Sequence, residues 1–237
     1  MTKPTGHDHP DPALPARPAA GSRPAASRSG DAAWLAQARS HLRGADPVLA
    51  RLIDARPDFD PRAWLARLPP MDLYGALLFQ ITGQQLSVAV TRRTIARIQD
   101  LFGGHLPAPA ELLAVAPERL REAGLSWRKV GTLRDLAERL TDGRLDADAL
   151  ATLPDDELMA QLTAIPGIGP WTVQGTLLIA LHREDIVLPG DLALRKAIQA
   201  AYRLDHLPSQ DEVVAIAEPW RPYRSLATSY LFSATTG

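Results

Sequence analysis

Residues 162–172, LTAIPGIGPWT, form the stretch that decides the fold. Two segments with apolar residues at helical spacing flank it, so we predict a helix, a tight turn and a second helix over about 154–183. Gly167 and Gly169 allow the turn because neither has a Cβ to block close approach, and Ile168 between them can anchor the turn to the core. The pattern is that of a helical hairpin.

The start of the second hairpin helix is suited to an anion. Its first N–H groups have no partner within the helix and lie at the positive end of the helix dipole, so they can bind a phosphate oxygen. Pro170 fits this first turn because proline lacks the N–H that would be unpaired there. A packing corner with the same glycines stays open as the alternative. The candidate phosphate contacts are Gly167, Ile168, Gly169, Trp171 and Thr172.

The composition excludes several kinds of chemistry. The chain has 237 residues, of which 46% are hydrophobic and 22% charged, enough for one or two packed domains. It contains no cysteine, which rules out thiolate nucleophiles, zinc–cysteine sites and iron–sulfur clusters. Its formal net charge of −1 gives no overall attraction to a polyanion, so any nucleic-acid surface has to be local. No run approaches the roughly 20 apolar residues of a membrane span, and we expect a cytoplasmic protein.

The chain outside the hairpin predicts an all-α protein with a disordered tail. Residues 1–30 hold six prolines and six alanines without apolar periodicity, and from there on the apolar residues recur at helical spacing. We expect two helical subdomains, one of residues 31–71 plus 180–237 and one of residues 72–179 that carries the hairpin, with a cleft between them. The predicted helices are 31–43, 47–55, 61–67, 71–81, 86–102, 109–122, 128–141, 155–164, 170–183, 191–203, 210–219 and 221–234.

A single carboxylate stands out downstream of the hairpin. Asp191 lies 22 residues after Gly169 and closes the run IVLPGD at residues 186–191. A carboxylate beside an apolar run is costly to bury without a partner. An aspartate in front of a helical segment is also a common N-cap, and we favour that role for Asp191 when it is considered alone.

Four further motifs follow the order of a known family. They are GQQLS at 83–87, GLSWRK at 124–129, LRDLA at 133–137 and WRPYRS at 220–225. Together with the hairpin and Asp191, they make residues 46–234 resemble the helix-hairpin-helix DNA glycosylases. Within that superfamily the chain is similar to the bacterial 3-methyladenine DNA glycosylase II family, in a short form without its N-terminal β-domain. The resemblance implies two helical subdomains that flank an active-site cleft.

The resemblance implies a base-excision-repair enzyme that flips an alkylated purine out of double-stranded DNA and hydrolyses its N-glycosidic bond. Asp191 is then the catalytic carboxylate, because a nearby anion stabilises the oxocarbenium character of the sugar. Trp171 stands where strand-cutting relatives carry a lysine nucleophile, so we expect no lyase activity and an abasic site as product. Lys196 lies about 140° around its helix from Asp191 and does not replace that lysine.

The same resemblance assigns the remaining site residues. Gln85 is the wedge that fills the space left by the flipped nucleotide, and Gln84 faces the base pocket. Trp171, Tyr230 and Phe232 line that pocket, where a cationic base such as 3-methyladenine or 7-methylguanine stacks on a π face. A place in the core is an equal alternative for the last two. Catalysis needs no cofactor. A structural monovalent cation, Na+ or K+, would lie on the main-chain carbonyls of Thr163, Ile165 and Ile168.

The chain departs from the family at two pocket positions, which leaves the breadth of the pocket open. Gly175 stands where the family can have an aromatic side chain, and Phe232 stands where it can have a larger indole. Four basic residues near helix ends are candidate phosphate contacts, although solvation is the commoner fate of such side chains. They are Arg92, Arg93, Arg128 and Lys129.

Two alternatives remain for the function. One keeps the enzyme but changes the lesion to a deaminated or oxidised base. The other is a helix-hairpin-helix protein that binds damaged DNA without cleaving a glycosidic bond. In each case the partner is double-stranded DNA with damaged bases, without a membrane, and we expect a monomer.

Overall fold

The computed structural model describes residues 28–63, 68 and 71–235, and within these it contains thirteen α-helices, one 3-10 helix and no strand. The predicted all-α class is confirmed. No helix in this part of the chain is both long and apolar enough to cross a bilayer. The helices are α1 (Arg28–Ala45), α2 (Pro47–Asp54), α3 (Leu73–Gly83), α4 (Val88–Leu101), α5 (Pro109–Ala114), α6 (Pro117–Glu122), α7 (Trp127–Thr141), α8 (Ala147–Thr152), α9 (Asp155–Thr163), α10 (Pro170–Ile179), α11 (Leu192–Tyr202), α12 (Gln210–Ala217), the 3-10 helix Glu218–Trp220 and α13 (Arg224–Thr235).

Several helix boundaries differ from the prediction. The segment expected as one helix over 109–122 forms α5 and α6, because Pro117 keeps Ala116 out of the helical region, at φ −58° and ψ 134°. Helix α8, which the sequence does not predict, begins after Asp146, whose side chain accepts the N–H groups of the first turn. Helix α10 ends at Ile179, four residues before its expected end.

The N-terminal boundary also differs. Helix α1 begins at Arg28, three residues inside the segment expected to be a disordered tail. Residues 1–27 of that tail, and residues 64–67 of the helix expected over 61–67, lie outside the described residues. The disordered tail and that helix therefore stay predictions.

Helices from the two ends of the chain pack on one another. Helix α2 packs on α1 and α13, and α13 packs on α11. Asp46, the buried N-cap of α2, joins α2, α11 and the 3-10 helix through hydrogen bonds to its carboxylate. Its Oδ1 accepts the N–H of Val48 at 2.7 Å, and its Oδ2 accepts the Nε1–H of Trp220 at 2.9 Å and the hydroxyl of Tyr202. This carboxylate therefore links three elements of the core through polar contacts.

Helix α3 is the apolar centre of the other group of helices. Nine of its eleven residues are buried, and α4, α7 and α10 pack around it. Its C-terminal end leads into the GQQLS motif, and its contact with α10 brings that motif beside the hairpin. The packing is compatible with the expected pair of subdomains, and the division itself stays a prediction.

Candidate active site

The hairpin consists of α9, a tight turn and α10. The N–H of Ile168 donates to the carbonyl of Ile165 at 3.0 Å, and the Ile168 side chain is buried as expected. Gly167 has φ +91°, and a Cβ at this position would lie 2.0 Å from the Oγ1 of Thr132. The Thr132 hydroxyl lies within hydrogen-bonding distance of two carbonyls, that of Arg128 at 3.0 Å and that of Pro166 in the turn at 3.1 Å, so α7 packs directly against the turn. Gly167 is therefore required both for its backbone conformation and for this close approach.

The anion site expected at the start of α10 stays a prediction, and two of its candidate N–H groups, those of Ile168 and Thr172, are already bonded within the protein. Gly169 is the N-cap without a capping side chain and Pro170 is the first helical residue. The N–H of Thr172 donates to the carbonyl of Gly169 at 3.0 Å, and the N–H of Ile168 is used in the turn. A phosphate would therefore depend on the N–H groups of Gly167, Gly169 and Trp171 more than on those of Ile168 and Thr172.

Gln84 connects the GQQLS motif to the hairpin. Its Nε2 donates to the carbonyl of Gly167 and to the Oγ1 of Thr172, both at 3.0 Å. Its Oε1 accepts from the Nη2 of Arg128 at 3.2 Å. Both ends of the amide are therefore bonded, which makes Gln84 a bridge between the motif, α7 and α10. The sequence does not predict this bridge, and a further role at the base pocket stays a prediction.

Gln85 lies at the exposed tip of the same motif. It is a non-glycine residue with φ +59°, in the left-handed region that side chains disfavour. Lys129 lies beneath it, with only 9% of its surface exposed, and donates from Nζ to the carbonyls of Thr82 and Gln84, both at 2.8 Å. Burial, with a smaller contribution from Arg128, lowers the pKa of Lys129. The expectation that Lys129 contacts phosphate is therefore wrong, because its ammonium group points into the protein.

Asp191 is both a helix cap and a partner of the hairpin. Its Oδ1 accepts the N–H of Leu194 at 2.9 Å, which makes it the N-cap of α11. Its Oδ2 accepts the Nε1–H of Trp171, the second residue of α10, at 3.0 Å. The side chain is half-buried. The carboxylate is thus held beside the second hairpin helix, where the resemblance places the reacting sugar.

The aromatic residues expected at the base pocket lie in different surroundings. Tyr230 is fully buried, packs edge-on against Phe59 at 5.2 Å between ring centroids, and accepts the Nε–H of Arg39 at 2.8 Å. Since it offers no exposed face to a base, the assignment of Tyr230 to the pocket is corrected to a place in the core. Phe232 is partly buried against the core, and Trp171 is half-buried beside Asp191. Their roles at the pocket stay predictions.

The absence of a side chain at residue 175 has a structural cause. A Cβ on Gly175 would lie 2.3 Å from the Nε2 of Gln80. Gln80, a buried polar residue of α3, therefore occupies the space into which an aromatic side chain at position 175 would project. The sequence does not predict that Gln80 fills the space beside Gly175, because the two residues are 95 positions apart.

A groove of about 400 Å³ lies between α7 and the hairpin turn. Neither Asp191 nor Trp171 borders it, so this groove is not the expected base pocket. Its position against Gly167 places it beside the expected phosphate contacts. The residues that line it are Trp127, Arg128, Gly131, Thr132, Asp135, Pro166 and Gly167.

The described residues contain no group of three or more His, Cys, Asp and Glu side chains that could hold a metal ion. The monovalent cation expected at the hairpin would bind main-chain carbonyls instead of such side chains. The side chains that reach the hairpin turn from outside, Thr132 and Gln84, bind the carbonyls of Pro166 and Gly167. Those are not the carbonyls expected to bind the cation, although one of the expected three, that of Ile165, accepts the N–H of Ile168. The cation site stays a prediction.

The fold and the site together define a base excision DNA repair protein. The chain belongs to the HhH-GPD superfamily of such proteins, whose family model matches residues 79–222. It is 30% identical over 203 residues to DNA-3-methyladenine glycosylase 1 of Schizosaccharomyces pombe, an alignment that covers 85% of this chain and 88% of that protein. It is also 30% identical over 197 residues to DNA-3-methyladenine glycosylase 2 of Escherichia coli, covering 78% of this chain and 64% of the other.

Solved structures agree with these sequence relatives. The 3-methyladenine DNA glycosylase Mag1 of S. pombe, in complex with abasic DNA, matches with a TM-score of 0.76 and 27% identity over 85% of this chain and 97% of that one. A DNA-3-methyladenine glycosidase from Bacillus halodurans matches with a TM-score of 0.62 and 28% identity over 81% of this chain and 90% of that one. The expected family is therefore confirmed.

Proposed function

We propose that this protein is a base-excision-repair glycosylase that removes alkylated purines of the 3-methyladenine and 7-methylguanine type from double-stranded DNA. The observation that carries the proposal is the hydrogen bond of 3.0 Å from Trp171 to Asp191, which holds a carboxylate beside the hairpin. Relatives that are similar to most of this chain are named DNA-3-methyladenine glycosylases. The structure of one of them was determined in complex with abasic DNA. DNA is accordingly the partner of this chain.

In the proposed reaction, Asp191 acts as an anion beside the deoxyribose. The bond between C1′ and the base nitrogen breaks, and its electron pair leaves with the base. The positive charge that develops on the sugar is stabilised by the carboxylate in a half-buried site, where electrostatic interactions are stronger than in water. The oxygen of a water molecule then bonds to C1′ and releases one proton to the solvent, which leaves an abasic site. Bases that already carry a positive charge leave as neutral molecules, so they need no general acid.

The described lysines support hydrolysis without strand cleavage. An imine with the sugar requires an amine that reaches C1′. Trp171 has an indole at the hairpin position, and Lys129 is committed to the carbonyls of Thr82 and Gln84. Lys196 is exposed on α11, away from the face of Asp191. We therefore propose a monofunctional enzyme, in which no borohydride-trapped adduct forms with DNA.

DNA binding in this proposal depends on the hairpin and on the GQQLS motif. The N–H groups at Gly167, Gly169 and Trp171 hold a phosphate of the lesion strand, and a monovalent cation on the carbonyls of Thr163, Ile165 and Ile168 would add positive charge there. Gln85 enters the duplex at the site that the flipped nucleotide leaves, which offsets part of the unstacking cost of a few kcal/mol. The enzyme acts as a monomer in the cytoplasm, at the chromosomal DNA.

The substrate class is tested by incubating the full chain with randomly methylated duplex DNA and separating the released bases by chromatography. We expect free 3-methyladenine and 7-methylguanine. Parallel duplexes that contain uracil, hypoxanthine or 8-oxoguanine test the alternative lesions. Release from those duplexes alone would change the substrate class, and binding to damaged DNA without release of any base would indicate a non-catalytic protein.

A further inference from the structure

The motif that carries Gln85 contains a tight turn with an unusual residue. Gln84 has φ −50° and ψ 125°, Gln85 follows with φ +59°, and the N–H of Leu86 donates to the carbonyl of Gly83 at 3.0 Å. These values are those of a type II turn, which requires a positive φ at its third residue and therefore favours glycine or asparagine there. A glutamine at this place is disfavoured, so something else in the structure has to maintain the turn.

Lys129 donates a hydrogen bond to the peptide group whose orientation distinguishes a type I turn from a type II turn. Types I and II differ mainly in the orientation of the central peptide, and only type II needs a positive φ. The central peptide here joins Gln84 to Gln85. Its carbonyl, that of Gln84, accepts a charge-assisted hydrogen bond from the Nζ of Lys129 at 2.8 Å. A type I turn would move this oxygen away from a largely buried ammonium group and leave the charge poorly satisfied.

We propose that Lys129 is a positioning residue for the wedge: its ammonium group selects the orientation of the Gln84–Gln85 peptide and so directs the Gln85 side chain out of the protein. The inference depends on the proposed entry of Gln85 into the duplex. Lys129 itself is buried and touches neither DNA nor the base. Lys129 affects the reaction only because it sets the conformation of Gln85.

A purely structural role for Lys129 makes a different prediction. The second acceptor of Nζ is the carbonyl of Thr82, in the last turn of α3, where main-chain carbonyls lack helical partners. If Lys129 served only to end α3, its loss would lower the stability of the fold whatever side chain stood at residue 85. If it positions the wedge, its effect on excision depends on the presence of that side chain.

A double-mutant cycle separates these roles. Lys129→Met removes the ammonium group and keeps the length of the side chain, and Gln85→Ala removes the wedge. We expect Lys129→Met to slow single-turnover excision from duplex DNA about tenfold, the factor that corresponds to one charge-assisted hydrogen bond. Gln85→Ala removes the wedge itself and should slow excision at least as much. We expect the double variant to be no slower than the slower single variant. Lys196→Met, at an exposed lysine of α11, is the matched control and keeps the wild-type rate.

A second readout does not depend on base release. 2-Aminopurine is placed opposite a stable abasic-site analogue in a duplex, so that entry of the wedge changes its fluorescence. Lys129→Met should reduce this change to the level of Gln85→Ala. If Lys129→Met does not fold, as judged by thermal unfolding, Lys129→Gln replaces it in both assays, because an amide can donate to one of the two carbonyls and should give an intermediate loss.

Two results would overturn the inference. One is wild-type excision and fluorescence in the Lys129 variant. The other is losses that multiply in the double variant, since two independent residues would behave in this way. A wild-type chain that shows the fluorescence change but releases no base would contradict the proposed function and leave the assignment of Lys129 supported.

Discussion

The indole of Trp171 and the carboxylate of Asp191 are joined by a hydrogen bond of 3.0 Å between Nε1 and Oδ2. The other carboxylate oxygen caps α11 through the N–H of Leu194. One hydrogen bond therefore comes from the hairpin helix that would hold the DNA backbone, and the other from the helix that carries Asp191. These two bonds therefore fix the position of the carboxylate relative to α10 and α11.

Replacement of Trp171 by phenylalanine tests the first of these bonds. Trp171→Phe keeps an aromatic ring beside the site but removes the Nε1–H donor, so Asp191 loses one of its two hydrogen bonds. We expect the single-turnover rate of excision to fall about tenfold, the effect of one hydrogen bond to a charged group, while affinity for abasic DNA changes little. An unchanged rate would mean that α11 alone positions the carboxylate.

Gly175→Ala tests the packing of α10 on α3. The new Cβ would lie 2.3 Å from the Nε2 of Gln80, so the buried amide has to move. We expect the free energy of unfolding to fall by about 1–3 kcal/mol, as for other overpacked sites, measured by urea denaturation. The Gln80→Ala, Gly175→Ala double variant should lose less stability than the sum of its single variants. Additive losses would contradict the contact.

Gly167→Ala tests the close approach in the hairpin turn. The residue has φ +91°, and its Cβ would lie 2.0 Å from the Oγ1 of Thr132. We expect a loss of about 2 kcal/mol or more in stability, from strain and contact together, and weaker binding to abasic DNA in a titration.

Gly131→Ala is the matched control for that variant. Gly131 lies in α7, in the same groove, and nothing lies within 4 Å of a Cβ added there. This change should stabilise the protein by about 1 kcal/mol through helix propensity. Equal effects of the two glycine variants would show that the turn tolerates a side chain.

The contacts of His206 and Glu212, outside the candidate active site, should make the stability of the fold depend on pH. Hydrogen bonds to Asp205 and, to a smaller extent, to Glu212 raise the pKa of His206. The stability that protonated His206 adds is therefore complete below the pKa of His206 in the unfolded chain. It is lost as the pH rises through the pKa in the folded protein. Hydrogen bonds from the N–H of Ser209 and from His206 lower the pKa of Glu212 to about 2. The stability that the Glu212 carboxylate adds is therefore lost as the pH falls from about 4.5 towards that value.

An NMR titration of His206 measures this coupling. In the Glu212→Gln variant we expect the pKa of His206 to fall towards its ordinary value, because the variant lacks the negative charge of one partner. The excision rate should stay that of the wild type. A His206 titration that does not change in the variant would contradict the contact of 2.9 Å between its Nε2 and Glu212.

The sequence predicts the parts of the site that depend on neighbouring residues. The hairpin turn, the cap at Asp191 and the family motifs are local patterns of glycine, proline and aspartate, and the structure contains the turn and the cap. The break at Pro117 also follows from a local rule, which the helical spacing of the apolar residues over 109–122 obscures.

The remaining parts of the site depend on residues that are distant in sequence. The bridge from Gln84 to Gly167 spans 83 positions, and the bond from Lys129 to Gln84 spans 45. Neither residue carries a local signal of its partner. Tyr230 shows the same limit, because an aromatic residue on the last helix has the same pattern whether it lines a pocket or fills the core.

Asp191 is proposed to promote cleavage of the glycosidic bond by stabilising the positive charge that develops on the sugar, and Asp191→Asn tests this role most directly. Asparagine is as good an N-cap as aspartate, so α11 keeps its start. The change removes the charge and also the acceptor of the Trp171 Nε1–H, because the Nδ2 of asparagine only donates. Trp171→Phe, which loses the same hydrogen bond but keeps the charge, separates the two effects. Asp146→Asn, which makes the same change at the N-cap of α8, is the control. We predict that Asp191→Asn lowers release of 3-methyladenine from methylated duplex DNA by a factor on the order of 10²–10³, with wild-type affinity for abasic DNA, and that the control retains full activity. Release at the wild-type rate by the Asp191 variant would contradict the catalytic role of this carboxylate.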